Sequence, residues 1–304
     1  MLRLISDSTS IKFIRLKLLS FSFSAMLTVL AILSIIFVGL NFGIDFKGGI
    51  LLEVRASNNI SISDIRKEVT DLNIGEVSIQ EFGSDTDYLI RVERQKGSDN
   101  AQQIAVEALK ASLSKAFNKD IEYRRLEYVG PTVSKDLVTD GIMAIVFAII
   151  AMLAYIWFRF ELPFAVGAII ALLHDIILTL GVFSLLGLEF NLSTVAAILL
   201  IIGYSMNDTV VVYDRIRENL RKFKKMNLKD LLDKSINETL SRTINTTITT
   251  MLALGALYLI GGQIISDFAF AMLWGIIVGT YSSIFIASTI LIFLNIRRSK
   301  DTES

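Results

Sequence analysis

Apolar residues fall along this chain in six long blocks separated by polar segments of very unequal length. The blocks run approximately Ser20–Leu40, Gly141–Phe158, Leu162–Leu188, Phe190–Tyr213, Thr243–Ile265 and Phe268–Ile296. Each comes close to the ~20 residues that a helix needs to cross the hydrocarbon core of a bilayer. The expected layout is an N-terminal segment at 1–19, a first span at 20–41 and a soluble segment at 42–136. Five further spans follow within 137–296, with a polar loop at 214–242, and a tail closes the chain at 297–304.

Within 42–136 the periodicity changes. Leu51–Arg55 reads as a strand. Ser61–Leu72 carries Ile62, Ile65, Val69 and Leu72 at helical spacing, with Ser61 and Asp64 placed as a capping box. Strands are expected at Glu76–Phe82 and Tyr88–Glu93, parted by a turn from Gly83 to Asp87. Ser98–Phe117 has a stripe of Ile104, Ala108, Leu109, Leu113 and Phe117, and a last strand runs Ile121–Val129. The order β-α-β-β-α-β is that of a ferredoxin-like split βαβ sandwich. The fold class is therefore a membrane all-α six-helix transporter half with an α+β ferredoxin-like extracytoplasmic domain. One span, a large soluble domain and five closely spaced spans resemble half of a two-fold transporter, so a partner half on another chain is expected.

Composition agrees with this layout. The chain has 304 residues, 53% of them hydrophobic, with a mean hydropathy of +0.57, too apolar for a soluble globule of this size. The absence of cysteine removes disulfides, thiol catalysis and cysteine metal sites together. The first apolar block is longer than the core of a signal peptide and no small-residue cleavage site follows it, so it is expected to stay as a span. Zero net charge hides an asymmetry. Arg3, Lys12, Arg15 and Lys17 stand against Asp7 before the first span, nine Lys/Arg against five acids in 214–242, and Arg297, Arg298 and Lys300 in the tail. The positive-inside rule places all three in the cytoplasm and 42–136, with thirteen Lys/Arg against sixteen acids, on the opposite side. The same rule accounts for the basic 214–242 segment without nucleic acid.

The candidate chemistry lies inside the spans. Asp208 sits within the fourth apolar block, beside Asn207, where an ionised carboxylate costs ~2.5–3.5 kcal/mol on translocon scales. It must hold a proton, a cationic partner or water. Arg242 opens a fifth block lined by Thr243, Asn245, Thr246, Thr247, Thr249 and Thr250, and is either its counter-charge or an interfacial anchor. His174-Asp175 in the third block is a proton relay or a structural pair, and this histidine is the single one in the chain. Gly275, Gly279 and Ser283 are spaced for close helix packing. No phosphate-cradling loop, nucleophile elbow or helix-borne metal motif occurs, so no cofactor and no hydrolytic activity is expected. Gly43, Asp45, Gly48 and Gly49 after the first span, with Gly130 and Pro131 before the second, read as hinge and junction.

Several of these segments, in this order, resemble the SecF family of protein-export membrane proteins. They are Gly43-Ile44-Asp45-Phe46-Lys47-Gly48-Gly49, Val129-Gly130-Pro131, His174-Asp175, the run Gly203–Asn219, Arg242-Thr243 and Gly261-Gly262. Lys47 departs from the threonine usual in the family. The resemblance implies a subunit that pairs with SecD as half of a resistance-nodulation-division type transporter in the bacterial inner membrane. It further implies association with the SecYEG channel and use of the proton-motive force to draw out exported polypeptide. Asp208 and Arg242 match the residues that the family links to proton conduction. The competing expectations are a proton-driven small-molecule efflux half, for which a domain of 95 residues (42 to 136) is small, and a scaffold with a static Asp208–Arg242 bridge.

Overall fold

The computed structural model describes residues 9–56, 60–72, 74–75, 77–82, 84–95, 99–117, 121–261, 263–294 and 296. Arg3, Asp7, Gly83, Gly262 and the basic tail at Arg297, Arg298 and Lys300 lie outside them. The described chain divides into two compact units. One holds 42–143 together with the short segment 189–192, and the other holds the remaining helices.

Among the described residues, six helices are long and apolar enough to span a membrane, Phe13–Phe37, Thr132–Arg159, Leu162–Leu186, Leu192–Lys222, Leu228–Ile260 and Ile265–Ile290. The fourth and fifth overrun their apolar blocks. The expected loop at 214–242 is mostly helix, turned by a short connection before Asn227, whose side chain accepts from the Lys229 amide at 3.0 Å. The helices persist because apolar residues continue along one face. Ile216, Leu231, Leu232 and Ile236 are buried, while the charged residues that lower the local hydropathy occupy the other faces. Asn219 donates to Ser235 at 2.9 Å and to Glu238 at 2.7 Å, and Arg215 donates to Glu238 at 2.7 Å, tying the two extensions together.

Small residues set the closest helix approaches. A Cβ on Gly181 would strike Ala31 of the first span, and Ser34 lies 2.9 Å from Ser184 on the same pair of helices. On the sixth span, Gly275 faces Ile201, Gly279 faces Ser205, and Ser283 bonds Thr209 at 2.8 Å. Both series rise in steps of four, so these two helices run parallel in register, and the small residues give the close approach that their spacing predicts. At Ser283–Ala287 the sixth span loosens into a π turn, and the Ser288 hydroxyl donates to the Ser283 carbonyl at 2.8 Å.

The soluble unit contains Gly49–Ala56 (β1), Ile62–Thr70 (α1), Val77–Phe82 (β2), Ser84–Val92 (β3), Asp99–Phe117 (α2) and Ile121–Val129 (β4). The strands lie in the order β4-β1-β3-β2 with all neighbours antiparallel, which is the expected split βαβ sheet. Alternate residues Ile50, Leu52, Val54 and Ala56 of β1 point into one core with Ile90 and Val92 of β3. Ile65 and Val69 of α1 and Ala105, Val106, Leu109 and Leu113 of α2 close it. The stripe of α2 is turned from the one expected: Ile104 is 67% exposed, whereas Gln102, Ala105 and Val106 are buried. The expected five-residue turn is largely strand, because β3 begins at Ser84.

The capping box of α1 is complete. The Asp64 amide bonds the Ser61 hydroxyl at 3.3 Å and the Asp64 carboxylate accepts from the Ser61 amide at 3.1 Å. These bonds hold the Asp64 carboxyl below its ordinary range, so their support for α1 is present above that range and fades as acid protonates the group.

Gly48 and Gly49 enter β1 with φ of 73° and 131°. A Cβ on Gly49 would lie 2.6 Å from the Val92 carbonyl oxygen, a backbone atom that cannot move aside alone. Gly49→Ala is therefore expected to cost about 1–3 kcal/mol and to lower the thermal midpoint, read by melting of the purified protein. Gly203→Ala, which meets nothing within 4 Å, is the control and should melt like the parent.

Candidate functional site

The polar interior of the helical unit is built by the third, fourth and sixth spans. Asp175 is fully buried. Its Oδ2 accepts from Ser205 at 2.6 Å and from Ser282 at 2.8 Å, and its Oδ1 shares a hydrogen bond with His174 Nδ1 at 3.0 Å. Its carbonyl accepts from Thr179 at 2.8 Å. One carboxylate thus joins three helices. His174 Nε2 is buried without a partner. The Ser283 hydroxyl extends the chain of contacts to Thr209 and to the Ser205 carbonyl, and the Tyr213 hydroxyl donates to the Ala287 carbonyl at 3.0 Å.

Asp208 lies one turn beyond Ser205 on the fourth span and is 3% exposed. Its Oδ2 has no hydrogen-bond partner. Arg242 lies within electrostatic range, yet among the described residues no ion pair joins the two. Arg242 is exposed in the isolated chain. Asn207, which is exposed, lines an open groove of about 470 Å³ together with Ala148, Met152 and Tyr155 of the second span and Gly203 and Val210 of the fourth. Thr246 is turned onto its own helix, donating to the Arg242 and Thr243 carbonyls at 3.1 and 2.9 Å. Of these four residues, Asp208 and Arg242 are linked across the fourth and fifth spans by electrostatics, the four form no closed cluster, and Asp175 heads a separate network.

Residue-by-residue reading of the sequence missed Ser205, Thr209, Ser282 and Ser283 as the partners of that network. Their signal is faint: small hydroxyls are common in membrane helices because they bond their own backbone.

The predicted junction residues gather in the soluble unit. Gly43 donates to the Phe190 carbonyl at 2.9 Å, and a Cβ there would lie 2.5 Å from Glu189 Oε1. Asp45 Oδ2 accepts from the Leu192 amide at 2.9 Å, capping the first residue of the fourth span. Gly130 precedes the helix that starts at Pro131, its carbonyl accepting from the Ser134 amide at 3.0 Å.

The family model described as "Protein export membrane protein SecD/SecF, C-terminal" matches residues 109–297, and the "SecD/SecF GG Motif" matches 33–60. The chain belongs to the SecD/SecF family. It is 48% identical over 292 residues to the protein translocase subunit SecF of Rickettsia felis, covering 95% of this chain and 94% of the relative. The SecF subunit of Rickettsia rickettsii is 47% identical over 302 residues, covering 98% and 97%. Among solved structures, SecDF of Thermus thermophilus, described as a translocon-associated membrane protein, superimposes with a TM-score of 0.82 at 34% identity. That match covers 96% of this chain and 40% of the SecDF chain. SecDF in a super-membrane-facing form gives 0.70 at 33% identity, covering 98% and 40%. The SecD/SecF member described here thus covers 94–97% of these SecF subunits and about 40% of the length of the SecDF chains. It is a multi-pass membrane protein.

Proposed function

We propose that this chain is the SecF subunit of a Sec accessory complex in a bacterial inner membrane. With SecD it uses the proton-motive force to promote export of polypeptides through the SecYEG channel, and it catalyses no covalent chemistry. Both termini and the basic 214–242 segment face the cytoplasm, and the ferredoxin-like domain faces the periplasm. The observation that carries the reading is Asp208, a buried carboxyl with an unpartnered oxygen, on a helix whose first residue is bonded into the soluble unit. Asp208 exchanges the proton, Arg242 supplies the alternating counter-charge, Asn207 and Thr246 line the path, and Asp175 supports it. Gly43, Asp45, Gly48, Gly49, Gly130 and Pro131 form the junction through which the shift reaches the domain.

Exposure supports a second half. Of the apolar windows of the second and fifth spans, 6% and 11% are buried, against 56–67% for the third, fourth and sixth. The second and fifth are also the helices that carry the groove wall beside Asn207 and the exposed Arg242, so a SecD half seated there would enclose the proton residues.

One proton crossing 100 mV releases ~2.3 kcal/mol, enough to shift a two-state equilibrium about fiftyfold and too little to unfold a cargo outright. The test is export into inverted membrane vesicles that contain the complex, with ATP saturating and the proton gradient either present or collapsed by an uncoupler. The gradient-dependent part of export is expected to vanish when this chain is depleted. Equal gradient dependence with and without it would overturn the reading.

A further inference from the structure

The segment Glu189–Leu192 joins the third and fourth spans, yet it belongs to the soluble unit. Four independent attachments hold it there. Phe190 accepts a backbone hydrogen bond from Gly43, and its ring packs against Phe42 and Phe46 at centroid distances of 5.8 and 5.7 Å. Leu192 donates its amide to Asp45. Glu189 is ion-paired with Arg91 of β3, a strand inside the sheet. That pair is largely shielded, with side chains 21% and 17% exposed, and Arg91 also donates to Gln80 on the neighbouring strand at 3.2 Å.

The helix that starts at Leu192 runs without interruption through Asp208 to Lys222. Sixteen residues separate Leu192 from Asp208 (208 − 192), about 24 Å of helix at 1.5 Å per residue. A helix is stiff over that length, so a tilt or turn at the acid arrives at Leu192 with little loss.

We propose that Arg91 and Glu189 form a latch that couples the fourth span to the sheet of the soluble domain. Arg91 is then a positioning residue for export although it lies outside every motif picked from the sequence. The inference rests on the proton-driven reading above and adds the element through which the motion passes. In this scheme the 189–192 connector, and not only the linkers after the first span and before the second, transmits the shift. A guanidinium–carboxylate pair suits the task because its planar fork fixes direction as well as distance, which a lysine does not.

The test uses the full chain assembled with its SecD partner. The chain has no cysteine, so spin labels at Lys67→Cys on α1 and Lys229→Cys at the start of the fifth helix report the distance distribution between the two units without background thiols in this chain. Arg91→Ala and Glu189→Gln are each expected to broaden that distribution about twofold and to lower gradient-dependent export roughly tenfold, as misplacement far from the chemistry does elsewhere. The exchanged pair, Arg91→Glu with Glu189→Arg, should restore both readouts in part. Arg91→Lys, which keeps the charge and the fold, should fall between. An unchanged distribution in Arg91→Ala, or a broadened one with parental export, would overturn the latch. Loss of gradient dependence in the parent itself would instead overturn the proton-driven reading, and the width comparison would still decide whether the tie exists.

Discussion

Asp208→Asn is expected to lower gradient-dependent export by at least roughly tenfold while leaving the assembled complex as stable as the parent. The amide copies the shape of the carboxyl and keeps a hydrogen-bonding oxygen, but it cannot take up or release a proton. The Asp208 oxygen that has no partner loses nothing by the change. Removing a buried charge relieves desolvation, so the melting temperature in detergent should stay level or rise slightly. Export with and without an uncoupler measures the first effect and melting of the purified complex measures the second. Parental export by Asp208→Asn would end the proton-carrier assignment. The charge-exchanged double variant Asp208→Arg with Arg242→Asp separates the remaining alternative. A static bridge survives exchange, whereas a carboxyl that must titrate within the membrane does not work from the other helix.

Much of this fold is legible because burial on one face leaves a period in the sequence. Ile50, Leu52, Val54 and Ala56 alternate as a half-buried strand must, and Ser61 with Asp64 marks a helix start that the structure closes with both hydrogen bonds. Gly275, Gly279 and Ser283 announce a close helix contact, although not which helix they meet. Other features are hidden by competing signals. Phe190 counts toward a membrane block by hydropathy, yet it packs with Phe42 and Phe46 in the soluble unit. The helical extensions past Tyr213 and before Thr243 are masked because a helix half-covered by charge has low mean hydropathy whatever its buried face contains. Ile104 misleads in the opposite sense, since an exposed isoleucine one position off the stripe shifts the apparent face of α2. Asp208 is conspicuous in the sequence because a carboxyl in lipid is costly. Ser205 and Ser282 are not, because a serine costs little there and takes its meaning from the acid that it meets.

Asp175 carries the second large effect. Asp175→Ala removes the acceptor of Ser205 and Ser282 and the partner of His174 in one step. Interhelical hydrogen bonds within membranes are worth about 0.6 kcal/mol each on average and up to ~1.7, so three such contacts amount to ~2–5 kcal/mol. Donors left buried without acceptors push the loss toward the upper end. The thermal midpoint of the purified complex should fall by roughly 5–10 °C. Asp175→Asn keeps an oxygen for the two serines and a group that can bond one tautomer of His174, so less than about half of that loss is expected. The two variants also resolve the roles that the sequence left open. If Asp175→Asn folds well and exports with parental gradient dependence, the network is a tie that sets the rotation of the fourth span, and through Ser205 the orientation of Asp208 one turn away. If it folds well and loses gradient dependence, the proton that His174 and Asp175 share belongs to the transport cycle, since the amide preserves every contact except the capacity to ionise.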